Sequence, residues 1–222
     1  MLHSQFNPRR IATGSVWDLL WLGVFFQPQP APRRALLLGL GAGTAVTQLQ
    51  ALFPKIAITA VEMDPIHIQL ATRHFGIDSS RANIHQGDAR EFMSEYQGLP
   101  FDFIIDDLFA GTAGTPSRAV SCSSEWLSVL TRCLTEDGIL SINFADLKEL
   151  KASGVRAAVG IRKRFKKVYG FRHPALENVI ATLLPMDSTP ADLRAQISSE
   201  PILAKALRSH HLRYQVRELK SR

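Results

Sequence analysis

The stretch LLLGLGAGTAV, residues 36–46, passes from an apolar run directly into three glycines two residues apart, Gly39, Gly41 and Gly43. This pattern predicts a buried β-strand that turns through the glycines into a helix beginning near Thr44. Glycine permits a positive φ and leaves space beside the main chain because it has no Cβ. The free N–H groups of the following helix favour an anionic ligand. The turn is therefore either a ligand-binding loop or a tight connection between strand and helix.

Beyond this turn, apolar runs alternate with segments of helical periodicity. The predicted strands are residues 35–39, 56–62, 82–86, 101–106, 138–144 and 178–184. The predicted helices are residues 16–26, 44–53, 65–75, 89–96, 124–134, 147–166 and 190–208. We expect residues 1–15 to be irregular and the last dozen to be mobile. Strands that alternate with helices predict a doubly wound α/β fold, in which a mostly parallel sheet carries helices on both faces.

The Pro-rich link QPQPAPRR, residues 27–34, cannot continue a helix and marks a boundary. We therefore predict an N-terminal segment with a short amphipathic helix at 1–34, a nucleoside-binding domain at 35–188, and a C-terminal helix with a basic tail at 189–222.

Composition excludes several classes of protein. Hydrophobic residues make up 45% of the 222 residues, which is enough for a full core and argues against global disorder. The apolar run 16–26 is too short to span a bilayer and contains Asp18, and no signal-peptide pattern is present. We therefore expect a cytoplasmic protein without a membrane segment. Cys122 and Cys133 are too few for a disulfide framework and are predicted to be buried thiols.

The net charge is +6, and basic residues concentrate at 162–173. A basic face attracts nucleic acid or another polyanion. No aromatic-interleaved motif accompanies the charge here, so the pattern favours a solvated helix face over a nucleic-acid site.

Acidic residues stand at the ends of successive predicted strands, where ligands bind in parallel sheets. Glu62 ends the second strand, about 20 residues after the glycine loop, where an acid accepts hydrogen bonds from ribose hydroxyls. Met63 packs either against a purine or in the core. We interpret Asp64 as the N-cap of the helix that opens at Pro65.

The third and fourth strands also end in acids. Asp88 is placed either to meet an adenine amine or to cap the next helix. Asp106 and Asp107 are neighbours on a strand and point to opposite sides, so one faces the cleft, where it takes a proton or holds a cationic amine. Together these acids and the glycine loop predict a nucleoside pocket. The turn is G-x-G-x-G with no glycine at position 46, which disfavours NAD.

No metal site is predicted, because no second ligand follows His67, His74 or His85 at a sequence spacing typical of metal sites. We interpret these histidines as ordinary surface or satisfied residues.

Several motifs resemble the class I S-adenosylmethionine-dependent methyltransferases and, within them, the spermidine synthase (polyamine synthase) family. The resemblance covers about residues 16–184 and rests on PRRALLLGLGAG, AVEMDP, GDAREFM, FDFIIDDLF, LTEDGILSINF and the late NVIATLL. It implies a seven-stranded Rossmann-like sheet and a cofactor that is S-adenosylmethionine or its decarboxylated form. The family also favours dimers, and the helix that carries Trp17 and Trp21 is a candidate homodimer interface.

The resemblance implies roles for single residues. Gly39, Gly41 and Gly43 hold the methionine-derived part of the cofactor. Glu62 binds the ribose, next to Met63, and Asp88 meets the adenine amine, next to Ala89. Asp107 matches the catalytic aspartate, which orients and deprotonates the attacking amine.

This chain departs from the polyamine-making members at three points. Ala42 stands where their glycine loop carries an aspartate, and Asp107-Leu108-Phe109-Ala110 replaces Asp-Ser-Ser-Asp. Only about 34 residues precede the first strand, where those members have a β-hairpin domain. A polyamine needs several matched carboxylates. We therefore expect a methyltransferase with a small-molecule acceptor, such as an amine. The alternatives are an aminopropyltransferase that makes spermidine and a non-catalytic nucleoside-binding module.

Overall fold

The computed structural model describes residues 4–5, 7, 10–112, 115–157 and 159–219. Eight strands form one sheet in the order β10-β8-β9-β7-β4-β1-β2-β3, and β5 and β6 form a separate hairpin. The strands are β1 Arg34–Leu38, β2 Ala57–Glu62, β3 Asn83–Gln86, β4 Phe101–Asp106, β5 Phe109–Thr112, β6 Thr115–Arg118, β7 Leu134–Phe144, β8 Lys167–Arg172, β9 Val179–Leu184 and β10 Gln215–Glu218.

Helices cover both faces of this sheet. They are α1 Trp17–Leu20, α2 Thr44–Leu52, α3 Pro65–Phe75, α4 Ala89–Glu95, α5 Ser124–Arg132, α6 Leu147–Ala152, α7 Gly154–Ala157, α8 Val159–Arg164, α9 Pro190–Ser199 and α10 Pro201–Arg208, with a 3₁₀ helix at Leu22–Phe26. The doubly wound α/β prediction is confirmed.

The central strand β1 shows how the sheet separates two cores. Leu36 and Leu38 pack into the core that contains α4–α8. Ala35 and Leu37 pack into the core that contains α1–α3, α9 and α10. Successive side chains of a strand point to opposite faces, so an apolar run without alternation is what a strand buried on both faces requires.

Strands β3, β2, β1, β4 and β7 run parallel to one another, so their carboxyl ends share one edge of the sheet. Strand β9 runs antiparallel to β7, which brings its beginning to that same edge. The sheet is mostly parallel, as predicted, but it has eight strands rather than seven, because β10 adds an edge strand beside β8.

The N-terminal segment packs into the same core as the sheet. Trp21 and Phe26 are 0% and 1% exposed, and the Phe26 ring stacks on Tyr169 at a centroid distance of 4.5 Å. Leu193 of α9 joins the same core, so the first and last predicted segments both pack on the middle one. The division at residues 34 and 188 stays a prediction. Trp17 and Trp21 were a candidate dimer interface. Both side chains are buried within this chain, so they do not form an exposed surface for a second copy.

The buried carboxylate of Asp18 holds the residues just before the N-terminal helix in place. Asp18 accepts hydrogen bonds from the backbone of Thr13 and Gly14 and from Nε2 of Gln48 in α2. Burial raises the pKa of Asp18, while these hydrogen bonds oppose that effect. The predicted helix at 16–26 is shorter and changes at Trp21 from an α-helical turn to the 3₁₀ helix.

The six predicted strands are present, with β7 beginning earlier, at Leu134. The helix predicted at 124–134 ends earlier, at Arg132, and two other predicted helices divide into shorter ones. The segment 147–166 forms three short helices that end at Arg164, and residue 158 lies outside the described residues. The segment 190–208 divides at Pro201, which begins α10 because a proline has no N–H to continue α9.

The basic segment and the tail differ most from prediction. Lys167 begins β8 and pairs with Glu218 of β10 at 3.0 Å, and Lys166 lies 3.9 Å from Asp187. Residues 215–218, expected to be mobile, form the edge strand β10, while 220–222 lie outside the described residues. Both cysteines are buried and free, as predicted. Within the described ranges, no helix has the length and apolar character that crossing a bilayer needs.

Truncating the Phe26 side chain tests whether the N-terminal segment belongs to the core. We expect Phe26→Ala to lower the free energy of unfolding by about 3–5 kcal/mol, because it leaves a cavity against Tyr169. Urea denaturation followed by circular dichroism measures this loss. The control is Leu99→Ala, which removes a side chain that is 69% exposed and should change stability little. A loss for Phe26→Ala no larger than that of the control would show that the segment does not stabilise the sheet.

Candidate active site

The carboxyl edge of the sheet brings the predicted site residues into one row. Following the strand order, Asp88 comes after β3, Glu62 ends β2, Gly39 follows β1 and Asp107 follows β4. A cavity of about 570 Å³ opens along this row, and all four residues line it. That volume lies within the range of small-molecule sites, roughly 300–1,000 Å³.

The three glycines of the loop have positive φ values of 89°, 53° and 99° for Gly39, Gly41 and Gly43. A Cβ on Gly39 would collide with the carbonyl oxygen of Asp107, so this glycine lets the ends of β1 and β4 approach. A Cβ on Gly43 would collide with the side chain of Ile77. Gly39 and Gly41 line the cavity and Gly43 does not. The loop is therefore a tight connection and a cavity wall at once.

Glu62 ties the end of β2 to the glycine loop. Its Oε2 accepts hydrogen bonds from the backbone N–H groups of Leu40 at 3.0 Å and Gly41 at 2.9 Å. Its Oε1 accepts from the N–H of Asp64 at 3.0 Å and lies 3.5 Å from Nδ1 of His67. His67 therefore belongs to the cavity wall rather than to the ordinary surface. A ribose that binds Glu62 has to share a carboxylate that already holds the loop.

The two residues that follow Glu62 have different positions. Met63 is 67% exposed and lines the cavity, so it is not a core residue. Asp64 caps α3 by accepting from the N–H of Ile66 at 2.8 Å, which confirms the predicted N-cap.

Asp88 performs the capping role while lining the cavity. It accepts from the backbone N–H of Arg90 at 2.7 Å and pairs with the Arg90 guanidinium, which lowers the pKa of Asp88. Ala89 is buried beside it and also lines the cavity. The Arg90 side chain is 65% exposed and also lines the cavity.

The two adjacent aspartates at the end of β4 have different environments. Asp106 is fully buried and accepts from Nη2 of Arg118 at 2.7 Å and from Nε1 of Trp126 at 2.8 Å. Arg118 comes from the hairpin and also donates to the carbonyl oxygen of Asn143 at 2.7 Å. Asp106 is thus the residue that points away, as predicted for one of the pair.

Asp107 is the one that faces the cavity. Its Oδ1 accepts from Nδ2 of Asn143 at 2.7 Å, and Oδ1 of Asn143 accepts from Nδ2 of Asn178 at 3.1 Å. Burial raises the pKa of Asp107 to about 7, and the negative charges of Asp106 and Glu62 add to this effect. The Asn143 hydrogen bond and the Arg118 charge oppose it. A carboxylate with this pKa takes up and releases a proton near neutral pH.

Three of these residues were missed in the sequence. Asn143 lies near the end of a predicted strand, so the strand-end rule that found Glu62 also applies to it. Asn178 stands at the beginning of β9 and reaches the site only because that strand is antiparallel. Arg118 lies in a hairpin that no apolar pattern marks. In the part of the chain described here, no group of three or more His, Cys, Asp or Glu residues is arranged to hold a metal ion.

The comparisons with known proteins agree with the motifs. Residues 20–171 match the family model described as the spermine/spermidine synthase domain. The polyamine aminopropyltransferase of Vibrio vulnificus is 30% identical over 188 residues, which cover 83% of this chain and 60% of that protein. The Mus musculus protein named eEF1A lysine and N-terminal methyltransferase is 28% identical over 141 residues, which cover 57% of this chain and 20% of that protein. The chain thus spans less than two thirds of the length of these curated relatives.

One solved structure shows the same fold. Human methyltransferase-like protein 13, crystallised in complex with SAH, has a TM-score of 0.69 at 23% identity, with coverage of 86% of this chain and 91% of that one. Both relatives are named as transferases. The resemblance that the motifs indicated is confirmed.

The Asp106–Arg118 pair can be tested by a double-mutant cycle. We expect Arg118→Met to lower the free energy of unfolding by about 3–5 kcal/mol, because it leaves the buried Asp106 carboxylate without a cation. Adding Asp106→Asn removes that charge and should restore part of the loss. Chemical denaturation of the two single variants and the double variant measures the coupling. Losses that simply add would contradict a direct interaction between the two side chains.

Proposed function

Because the chain belongs to the spermine/spermidine synthase domain family, we propose that it transfers the methyl group of S-adenosylmethionine to an amine acceptor. The observation that carries this proposal is Asp107, a carboxylate with a pKa raised to about 7 that faces a cavity beside the glycine loop. The relatives include both an aminopropyltransferase and a methyltransferase, so the comparisons leave the transferred group open.

The donor half of the cavity fits an adenosyl cofactor. Gly39 and Gly41 provide a wall without side chains, and Glu62 offers carboxylate oxygens to a ribose. Exposed Met63 provides an apolar surface for a purine, next to Asp88 and Ala89. Gly43 supports this half indirectly, by allowing α2 to pack against Ile77. When bound, the cofactor supplies an electrophilic methyl group on a sulfonium.

Position 42 lacks the carboxylate that would favour the decarboxylated donor. S-adenosylmethionine carries a carboxylate next to its own ammonium group, whereas the decarboxylated form presents an ammonium that needs a protein carboxylate. Ala42 provides none, and its backbone N–H donates to Oγ of Ser4 at 2.7 Å. A cation without a matched partner loses a charged hydrogen bond, which contributes about 1.5–3 kcal/mol.

Asp107 is proposed to receive the proton of the acceptor. An amine attacks through its lone pair, so it has to be neutral, and the nitrogen loses a proton as it gains the methyl group. Asn143 holds Oδ1 of Asp107, which leaves Oδ2 for that proton. A base whose pKa lies near the working pH is the most effective for such a transfer.

An aminopropyltransferase is the second candidate, and the family model and the Vibrio vulnificus relative favour it. A non-catalytic nucleoside-binding module is the third. Its polyanion contact would use the basic segment 162–173, where Lys166 and Lys167 lie near acidic partners within the chain. This pairing weakens the case for a nucleic-acid surface.

A cytoplasmic location and a homodimer belong to the same proposal. Buried free thiols support a reducing compartment. The dimer is supported by the family resemblance alone.

Calorimetric titration of the two donors tests which group is transferred. We expect S-adenosylmethionine to bind at least about tenfold more tightly than its decarboxylated form, a difference of about 1.4 kcal/mol. Ala42→Asp adds the missing carboxylate and should reverse or abolish the preference, while Ala42→Asn serves as the uncharged control. Tighter binding of the decarboxylated donor to the unmodified protein would favour aminopropyl transfer instead.

The pH dependence of turnover tests the role of Asp107. We expect kcat/KM, calculated from the concentration of the neutral amine, to rise with pH up to about 7 and then level, because Asp107 has to be ionised to take the proton. Asp107→Asn should lower the rate by about 10²–10⁴-fold and remove this limb of the profile, with donor binding retained. The control is Asp187→Asn, since that side chain is 74% exposed. An unchanged profile in Asp107→Asn would rule out Asp107 as the base.

A further inference from the structure

We propose that the acceptor is a monoamine, with one positive charge when protonated, whose amine is attached to an apolar body. This inference rests on the proposed function and deepens it by naming the class of substrate. It starts from the uneven distribution of charge along the cavity. The donor half contains Glu62, Asp88 and Arg90, whereas the half beyond Asp107 is almost without charge.

The acceptor half, as we define it, is the part of the cavity that extends from Asp107 toward β9 and the N-terminal helix. Its apolar walls are Trp17, Leu108, Phe109, Val120 and Leu176. Asp107 is the one carboxylate among the described residues that line this half. The polar groups beside it, Asn143 and Asn178, are neutral amides.

Hydrogen bonding limits the site to one free carboxylate oxygen. Oδ1 of Asp107 already accepts from Asn143, and Asn143 is held in that orientation because its own oxygen accepts from Asn178. No described side chain donates to Oδ2 of Asp107. The neighbouring Asp106 cannot help, because Arg118 and Trp126 engage it on the buried side. The acceptor half therefore offers one carboxylate, which matches one positive charge on the acceptor.

A second charge on the acceptor has no such partner. Each charged hydrogen bond contributes about 1.5–3 kcal/mol, and a second ammonium group in this half does not form one. Ala110, which also lines the cavity, has no group that could hold a second ammonium. Apolar carbon gains instead, at about 25 cal/mol for each Å² removed from water. The walls thus select against polyamines and for an aliphatic or aromatic body.

The transfer balances for such an acceptor. The nitrogen lone pair forms the new N–C bond, and the electrons of the broken C–S bond stay on sulfur, which becomes a thioether. The proton leaves the nitrogen for Oδ2 of Asp107, and solvent removes it after the product departs.

The test compares two amines that differ in one group. Butylamine and putrescine have the same four-carbon chain, and putrescine carries a second amine. With S-adenosylmethionine as donor, we expect kcat/KM for butylamine to exceed that for putrescine by about tenfold or more, which corresponds to 1.4 kcal/mol. Formation of S-adenosylhomocysteine measures both rates. A peptide with an N-terminal phenylalanine forms a further arm, and a preference for it would identify the monoamine as a polypeptide terminus.

A substitution at the empty end of the acceptor half provides the matched control. Ala110→Asp supplies a carboxylate and should lower the butylamine-to-putrescine ratio by about tenfold, whereas Ala110→Asn should leave it near the original value. Equal ratios in the two variants would overturn the assignment. Faster methylation of putrescine than of butylamine by the unmodified protein would also overturn it and leave methyl transfer standing. No product with any amine, despite donor binding, would refute the proposed function itself and the acceptor class with it.

Discussion

The buried ion pair between Asp106 and Arg118 is the interaction on which the site depends. Their side chains are 0% and 2% exposed, and a charge in such a place needs both a partner and further hydrogen bonds. Arg118 also donates to the carbonyl oxygens of Asn143 and Val120. One guanidinium therefore joins the end of β4, the end of β7 and the chain after the hairpin. This fixes Phe109 and Ala110 of β5 along the cavity.

The same pair determines the chemistry of the next residue. Asp106, the last residue of β4, contacts Arg118, while the next residue, Asp107, faces the cavity. The negative charge of Asp106 raises the pKa of Asp107, and the positive charge of Arg118 opposes this effect only in part. Burial adds the largest contribution, so the second aspartate holds a proton at a pH where an exposed one does not. Asp106 is thus a structural carboxylate and Asp107 a candidate base, and their different hydrogen-bond partners account for the difference.

Local sequence patterns predicted the elements whose burial is uniform. β1, β2 and β4 are apolar runs because both of their faces are covered, and α3 has a capping aspartate followed by proline. The sequence did not predict the β5–β6 hairpin or β10, because these strands are short and have no apolar periodicity. The sequence did not predict β8 either, because its first residue continues a basic, helix-like run. Pairing with β9 determines the conformation of this segment. Long-range pairing of this kind overrides local propensity.

The candidate site shows the same division between local and distant causes. Glu62, Asp88 and Asp107 were predictable because parallel strands deliver their last residues to one edge. Asn178 was not, since only the direction of β9 brings its first residues there. The glycines combine both causes: Gly39 and Gly41 border the cavity as the motif indicates, but Gly39 also makes room for the backbone of Asp107 and Gly43 for Ile77. A glycine-rich turn can therefore be required by the protein's own packing as well as by a ligand. The acidic residues beside it are stronger evidence for function.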